Sequence, residues 1–176
     1  MSHNLISSLS AFDGINTHAL LVREIAGRYR QAQDSEVLQA AQALLAAQLR
    51  GTDVLSDPVI VRTFLQARLG TLGYEVFAVV HLDAQHRVID FVEMFRGTLT
   101  QTSVYPRELV KDALRLNSAA VILVHNHPSG STTPSSADER LTSTLKTALG
   151  LVDVRVLDHF VVAASAMTSM AESGLI

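Results

Sequence analysis

A chain of 176 residues, 48% hydrophobic and 18% charged, has room for one ordinary domain with a small addition, and its composition is not that of a disordered polypeptide. A net charge of −3 excludes the broadly basic surface that attracts nucleic-acid phosphates by charge alone. The sequence has no cysteine, so disulfides are excluded and any metal must be held by imidazoles and carboxylates.

Met1 to Ile6 lacks the basic, apolar and small-residue order of a secretory leader, and a cytoplasmic location is expected. Thr17 to Arg50 reads as helical. Leu20, Leu21, Ile25 and Tyr29 form one apolar face, and Val37, Leu38, Ala41, Leu44, Leu45 and Leu49 form another after an Asp34-Ser35 start. That second face is expected to pack on the rest of the chain or on a second copy of it. Gly51 closes the segment, which gives a helical extension over residues 1–54 ahead of a domain over 55–176.

Ser56-Asp57-Pro58 opens the next helix, with Val61, Phe64, Leu65 and Leu69 on one face and Gly70 and Gly73 at its end. Tyr74–Leu82 and Arg87–Phe95 are rich in β-branched and aromatic residues and read as a hairpin around Asp83-Ala84-Gln85-His86. Pro106–Leu116 is helical. Ala119–Val124 is continuously apolar, as in a strand buried on both faces, and is far too short to span a membrane. A polar loop follows to Ser136, then a helix over Ala137–Leu149 and a last strand over Val152–Val162. The order predicts an α/β domain, a mixed sheet with helices on its faces.

The residues that carry chemistry lie where the buried strand ends, in His125-Asn126-His127-Pro128-Ser129-Gly130. Strand side chains alternate, so His125 and His127 project to one side and two imidazoles can share a cation at about 2.0–2.1 Å. Pro128 and Gly130 turn the chain so that the next helix brings Asp138 to the same point. Two nitrogens and one carboxylate oxygen leave a fourth zinc position for water, whose pKa the metal lowers toward ~7. The bland alternatives stay open from the residues alone. Ser135-x-x-Asp138 also fits a helix capping box, and His-Pro-Ser-Gly also fits an ordinary turn.

These residues resemble the JAMM (MPN+) metallopeptidase signature, whose serine and aspartate follow the first histidine by ten and thirteen positions, as Ser135 and Asp138 follow His125. Within that group the chain resembles the bacterial RadC family from about Leu55 to its end. The matching segments are Glu75-Val-Phe-Ala-Val-Val, Phe95-Arg-Gly-Thr, Ser103-Val-Tyr-Pro-Arg-Glu, the His125 hexapeptide and Arg155-Val-Leu-Asp-His. No helix-hairpin-helix signal precedes them. The resemblance implies an MPN/JAB-like (cytidine-deaminase-like) fold in a bacterial cytoplasmic protein. It makes His125, His127 and Asp138 zinc ligands, Ser135 the oxyanion-steadying serine and Glu75 the general base, with Glu93 as the competing base.

The implied reaction is hydrolysis of a peptide or isopeptide bond in a protein or peptide substrate. The family's historical DNA-repair label makes a DNA-associated accessory factor one rival, and a zinc-stabilised interaction module another. Zinc-activated water also suits a nuclease. Asn126 and Ser129 read as braces of the metal loop or as turn formers, and Asp158-His159 as a structural hydrogen-bonding pair. His81 and His86 read as surface or hairpin residues, and Arg96, Arg107, Lys111 and Arg115 as a solvated basic face.

Overall fold

The computed structural model describes residues 20–25, 27–97 and 104–176. The chain divides into two compact units, Met1–Ala43 and Leu44–Ile176. Among the described residues no helix is long and apolar enough to cross a membrane.

The smaller unit corrects one expectation. In place of helix, Leu21–Arg23 (β1) and Tyr29–Gln31 (β2) pair antiparallel, with Val22 across from Arg30. The cause lies between them. Gly27 sits at φ +76°, a left-handed conformation that glycine adopts without penalty, and its N–H donates to the carbonyl of Glu24 to close the turn. Leu21, Ile25 and Tyr29 are exposed, so their helix-like spacing answers to no buried face. Thr17 to Ala19, the start of that expected helix, lie outside the described residues. Arg30 donates two hydrogen bonds to Glu36, at 2.8 and 2.6 Å, and these hold the Glu36 carboxyl down at about 2. Glu36 stands in the first turn of Asp34–Leu49 (α1), which starts at the expected residue.

The larger unit is a three-layer α/β arrangement. Its sheet has the order β4-β3-β5-β6-β7, built from Val76–Leu82 (β3), Val88–Arg96 (β4), Ala120–Asn126 (β5), Arg155–Val162 (β6) and Met167–Ser169 (β7). Only β5 and β6 run parallel; the other neighbours are antiparallel. β7 is a strand beyond the one expected to be last.

Each face of the sheet collects a core. Val76, Ala78, Val80, Ile122, Val124, Phe160 and Val162 pack with Val61, Phe64, Leu65 and Leu69 of Pro58–Leu69 (α2) and with Leu45 and Leu49 at the end of α1. Phe77, Val79, Val121 and Leu123 pack on the other face, against Leu109 and Ala113 of Pro106–Arg115 (α3) and Leu145 and Leu149 of Ser136–Gly150 (α4). The alternation of odd and even residues along β3 and β5 therefore decides which helix layer each side chain meets. β5 lies between β3 and β6 and is buried along its whole length, as its unbroken apolar run predicts.

Local chemistry explains the boundaries. Asp57 caps α2 by accepting from Ile60 N, with Pro58 in the first turn. In the β3–β4 turn Asp83 accepts from the N–H groups of Gln85 and Arg87, and His86 adopts φ +59°.

Candidate metal centre

β5 delivers its last residues to the edge of the α3/α4 layer. Phe77 pairs with His125, so His125 shares the face of Phe77 and Val79. His127 follows the strand end and is held in line by its N–H, which donates to Val162 O at 2.8 Å. Gly130, at φ +88°, then reverses the chain toward α4. There the capping box is real. Ser135 N and Oγ both donate to Asp138 Oδ2, at 2.7 and 2.6 Å, and Asp138 N donates back to Ser135 Oγ.

The cap does not exclude a metal role, because the same carboxylate also faces the histidines. His125 Nε2 lies 3.0 Å from His127 Nε2 and 3.3 Å from Asp138 Oδ1, and His127 Nε2 lies 3.8 Å from Asp138 Oδ2. Around a tetrahedral zinc with ligands at about 2.0–2.1 Å, neighbouring ligand atoms stand about 3.3–3.4 Å apart. The two distances from His125 Nε2 lie at or just below that value, and the 3.8 Å from His127 Nε2 to the other carboxylate oxygen lies above it. Among the described residues these three form the cluster whose donor atoms all lie within 4.8 Å of one another. The donor set, two imidazoles and one carboxylate, suits zinc and leaves room for a fourth ligand.

Surrounding groups orient the donors. His127 Nδ1 lies 3.0 Å from Ser131 O, an acceptor that fixes the proton on Nδ1 and aims Nε2 inward. His125 Nδ1 lies 2.8 Å from Nε2 of His159. Desolvation alone would raise the Asp138 carboxyl, but hydrogen bonding and charge from His125, together with the bonds from Ser135, hold it well below the usual carboxylate range.

The two glutamates part company. Glu75 directly precedes β3, two residues before Phe77, which pairs with His125. It is half-buried and outside the three-residue cluster. Glu93 pairs with Ala78, whose side chain meets the α2 layer, and it accepts a 2.7 Å hydrogen bond from Arg68. Asn126 ties the segment around Glu75 to β5. Its Oδ1 accepts from Val76 N at 2.8 Å and its Nδ2 donates to Tyr74 O at 3.0 Å, so the peptide groups on both sides of Glu75 are held by one side chain.

One other reading changes, and several hold. His81 is fully buried, not superficial: its Nδ1 lies 2.9 Å from Ser118 Oγ and its Nε2 3.2 Å from Asp112 Oδ2, off line for a hydrogen bond. Burial lowers its pKa against the pull of Asp112. His86 is a hairpin residue, beside Arg155. Lys111 and Arg115 are exposed and pair with Glu108 and Asp112 of their own helix, as a solvated face requires, and Arg96 lies over the Tyr74 ring. Ser129 is exposed in the turn after Pro128. Asp158 does structural work, accepting from its own neighbour His159 N, from Ala171 N and from Ser169 Oγ across to β7.

His159 bonds on the site side as well. It is fully buried and stands between His125 and Thr142, whose Oγ1 lies 2.6 Å from His159 Nδ1. Thr142 escaped the sequence reading. The signals were a polar pair inside an apolar strand, and a threonine one helical turn after Asp138.

The RadC-like JAB domain model matches residues 55–175 of this chain. The chain belongs to that family. A UPF0758 protein of a Polaromonas species is 57% identical over 150 residues, covering 85% of this chain and 67% of the relative. Similar UPF0758 proteins occur in Leptothrix cholodnii, 55% identical, and Methylibium petroleiphilum, 56% identical, each match covering 85% of this chain and 68% of the relative. Membership accounts for the mixed sheet flanked by helices and for the placing of the His125 hexapeptide at the end of its central strand.

Proposed function

We propose that this RadC-family chain is a zinc-dependent hydrolase that cleaves a peptide or isopeptide amide bond in a protein or peptide substrate, in the bacterial cytoplasm. The carrying observation is the convergence of His125, His127 and Asp138 at the end of β5, with Glu75 immediately ahead of the neighbouring strand β3. Zinc held by those three residues supplies Lewis acidity and lowers the pKa of water toward ~7.

The chain's own groups do the rest. Glu75 takes the proton of the attacking water and returns it to the departing amine nitrogen, with Asn126 fixing the backbone on either side of it. Ser135 donates its hydroxyl to the developing oxyanion. Its backbone N–H keeps Asp138 Oδ2 at 2.7 Å, so the hydroxyl can swing away without releasing the carboxylate. The lysine and arginine residues of α3 are occupied by acids of the same helix, which favours a peptide substrate over a nucleic acid.

The test has two stages. Elemental analysis should find about one zinc per chain in the wild type and none in His127→Ala. Glu75→Gln should keep its zinc and lose turnover on a peptide or isopeptide substrate that the wild type cleaves. No zinc uptake by the wild type would overturn the proposal, and full activity in Glu75→Gln would remove that residue from it.

A further inference from the structure

Behind His125 runs a buried chain of hydrogen-bonding groups. His125 Nδ1 lies 2.8 Å from His159 Nε2, His159 Nδ1 lies 2.6 Å from Thr142 Oγ1, and the Thr142 hydroxyl donates to Asp138 O at 2.6 Å. His159 and Thr142 are buried, and His159 is packed edge-on against Phe77 as well as against His125. Each neutral imidazole carries one proton on one of two nitrogens, and a hydroxyl carries one proton in all. The chain therefore has two orders. In one, Thr142 donates to His159 Nδ1, His159 Nε2–H donates to His125 Nδ1, and the remaining proton of His125 sits on Nε2, where it blocks a metal. In the other, Thr142 donates to its own helix at Asp138 O, every imidazole proton sits on Nδ1, and His125 presents a bare Nε2 beside His127 and Asp138.

We propose that Thr142 and His159 are positioning residues that select the second order, so that a hydroxyl touching no ligand side chain sets the affinity of the site for zinc. This rests on the reading of His125, His127 and Asp138 as zinc ligands. Asp138 O, an acceptor one turn earlier on α4, makes the second order self-consistent: each proton in it has an acceptor. Removing the hydroxyl breaks that consistency only when metal is bound. Without metal the two imidazoles can reverse their protons. With metal on His125 Nε2 they cannot, and the Nδ1–H of His159 is left buried without an acceptor.

The test is zinc affinity at fixed pH, by competition with a chelator, for wild type, Thr142→Val and Thr142→Ser. Thr142→Val is close to isosteric and should keep a cooperative unfolding transition while binding zinc about 10- to 100-fold more weakly. Thr142→Ser keeps the hydroxyl and should restore affinity to within a few-fold of wild type. Two-bond nitrogen–proton spectra of the zinc-loaded wild type should place the His159 proton on Nδ1. Equal affinities in wild type and Thr142→Val overturn the inference while leaving the zinc reading intact. So do equal losses in the two variants, which point to packing and not the hydroxyl, and so does a His159 proton on Nε2. A wild type that takes up no zinc overturns the inference and the zinc reading together.

Discussion

Replacing Asn126 with alanine tests the side chain that joins the metal strand to the segment of Glu75. Asn126 is 1% exposed, and its amide satisfies two buried backbone groups, Val76 N–H at 2.8 Å and Tyr74 C=O at 3.0 Å. A third contact, to Leu72 O at 3.5 Å, is too long to count for much. Each backbone group left without a partner costs about 1–3 kcal/mol, so the loss from the two should be about 2–6 kcal/mol. Against a total stability of roughly 5–15 kcal/mol that is large and easily measured. Urea unfolding followed by circular dichroism gives the number, provided the denaturant slope is unchanged from wild type. Asn126→Asp serves as the companion. It keeps the acceptor for Val76 N but turns an acceptor toward Tyr74 O and buries a charge, so it should also destabilise, despite its matched size. A loss below about 0.5 kcal/mol in Asn126→Ala, comparable to a neutral surface change, would refute this account of how the segment is held.

Three further outcomes follow from the same geometry. Ser135→Ala removes the side-chain cap of α4 and should cost about 1 kcal/mol in thermal unfolding, while its backbone N–H still holds Asp138 Oδ2, so zinc content should stay at wild-type level and turnover fall; unchanged turnover would remove the Ser135 hydroxyl from the mechanism. Glu93→Gln loosens only the part-exposed bond from Arg68, so it should leave zinc content and turnover at wild-type levels and stability within about 1 kcal/mol; abolished turnover would reinstate Glu93 as the base. Burial lowers the pKa of both His81 and His159, so in the metal-free protein the unfolded state binds more protons than the folded state below about pH 6.5. Stability should therefore be fully present above that pH and decline as the pH falls through it. Denaturation midpoints that do not change between pH 7.5 and 5 would contradict the neutral, buried state of these two rings.

How much of this was legible depended on how local the determinant was. The run Ala119–Val124 and the His125-x-His127 step announce their strand and its end, because strand alternation acts between near neighbours. Asp57-Pro58 and Ser135-x-x-Asp138 mark helix starts for the same reason. The β1–β2 hairpin was hidden because three-residue strands are too short to display a period of two, while Leu21, Ile25 and Tyr29 fall at helical intervals without a face to bury. β7 is equally short. His81 was misjudged, and the partners of His159 were not legible, because a histidine's surroundings are set by the layer across the sheet. Only the register of β3, β5 and β6 reveals that both rings point into the α3/α4 side. Glu93 is set apart by its pairing with Ala78 across the β3–β4 register, which no local pattern reveals.

The capping box has a consequence for which ion the site accepts. With Oδ2 of Asp138 accepting from the N–H and hydroxyl of Ser135, Oδ1 is the oxygen left for a metal, which the carboxylate would then hold end-on. Calcium, which gathers six to eight oxygens, and magnesium, which insists on an octahedron of them, gain little from one oxygen and two imidazoles. A small, four-coordinate, nitrogen-tolerant cation loses nothing by it. If the site holds zinc as proposed, the turn that starts helix α4 would act as a filter on denticity, and a helix cap would help discriminate among metals.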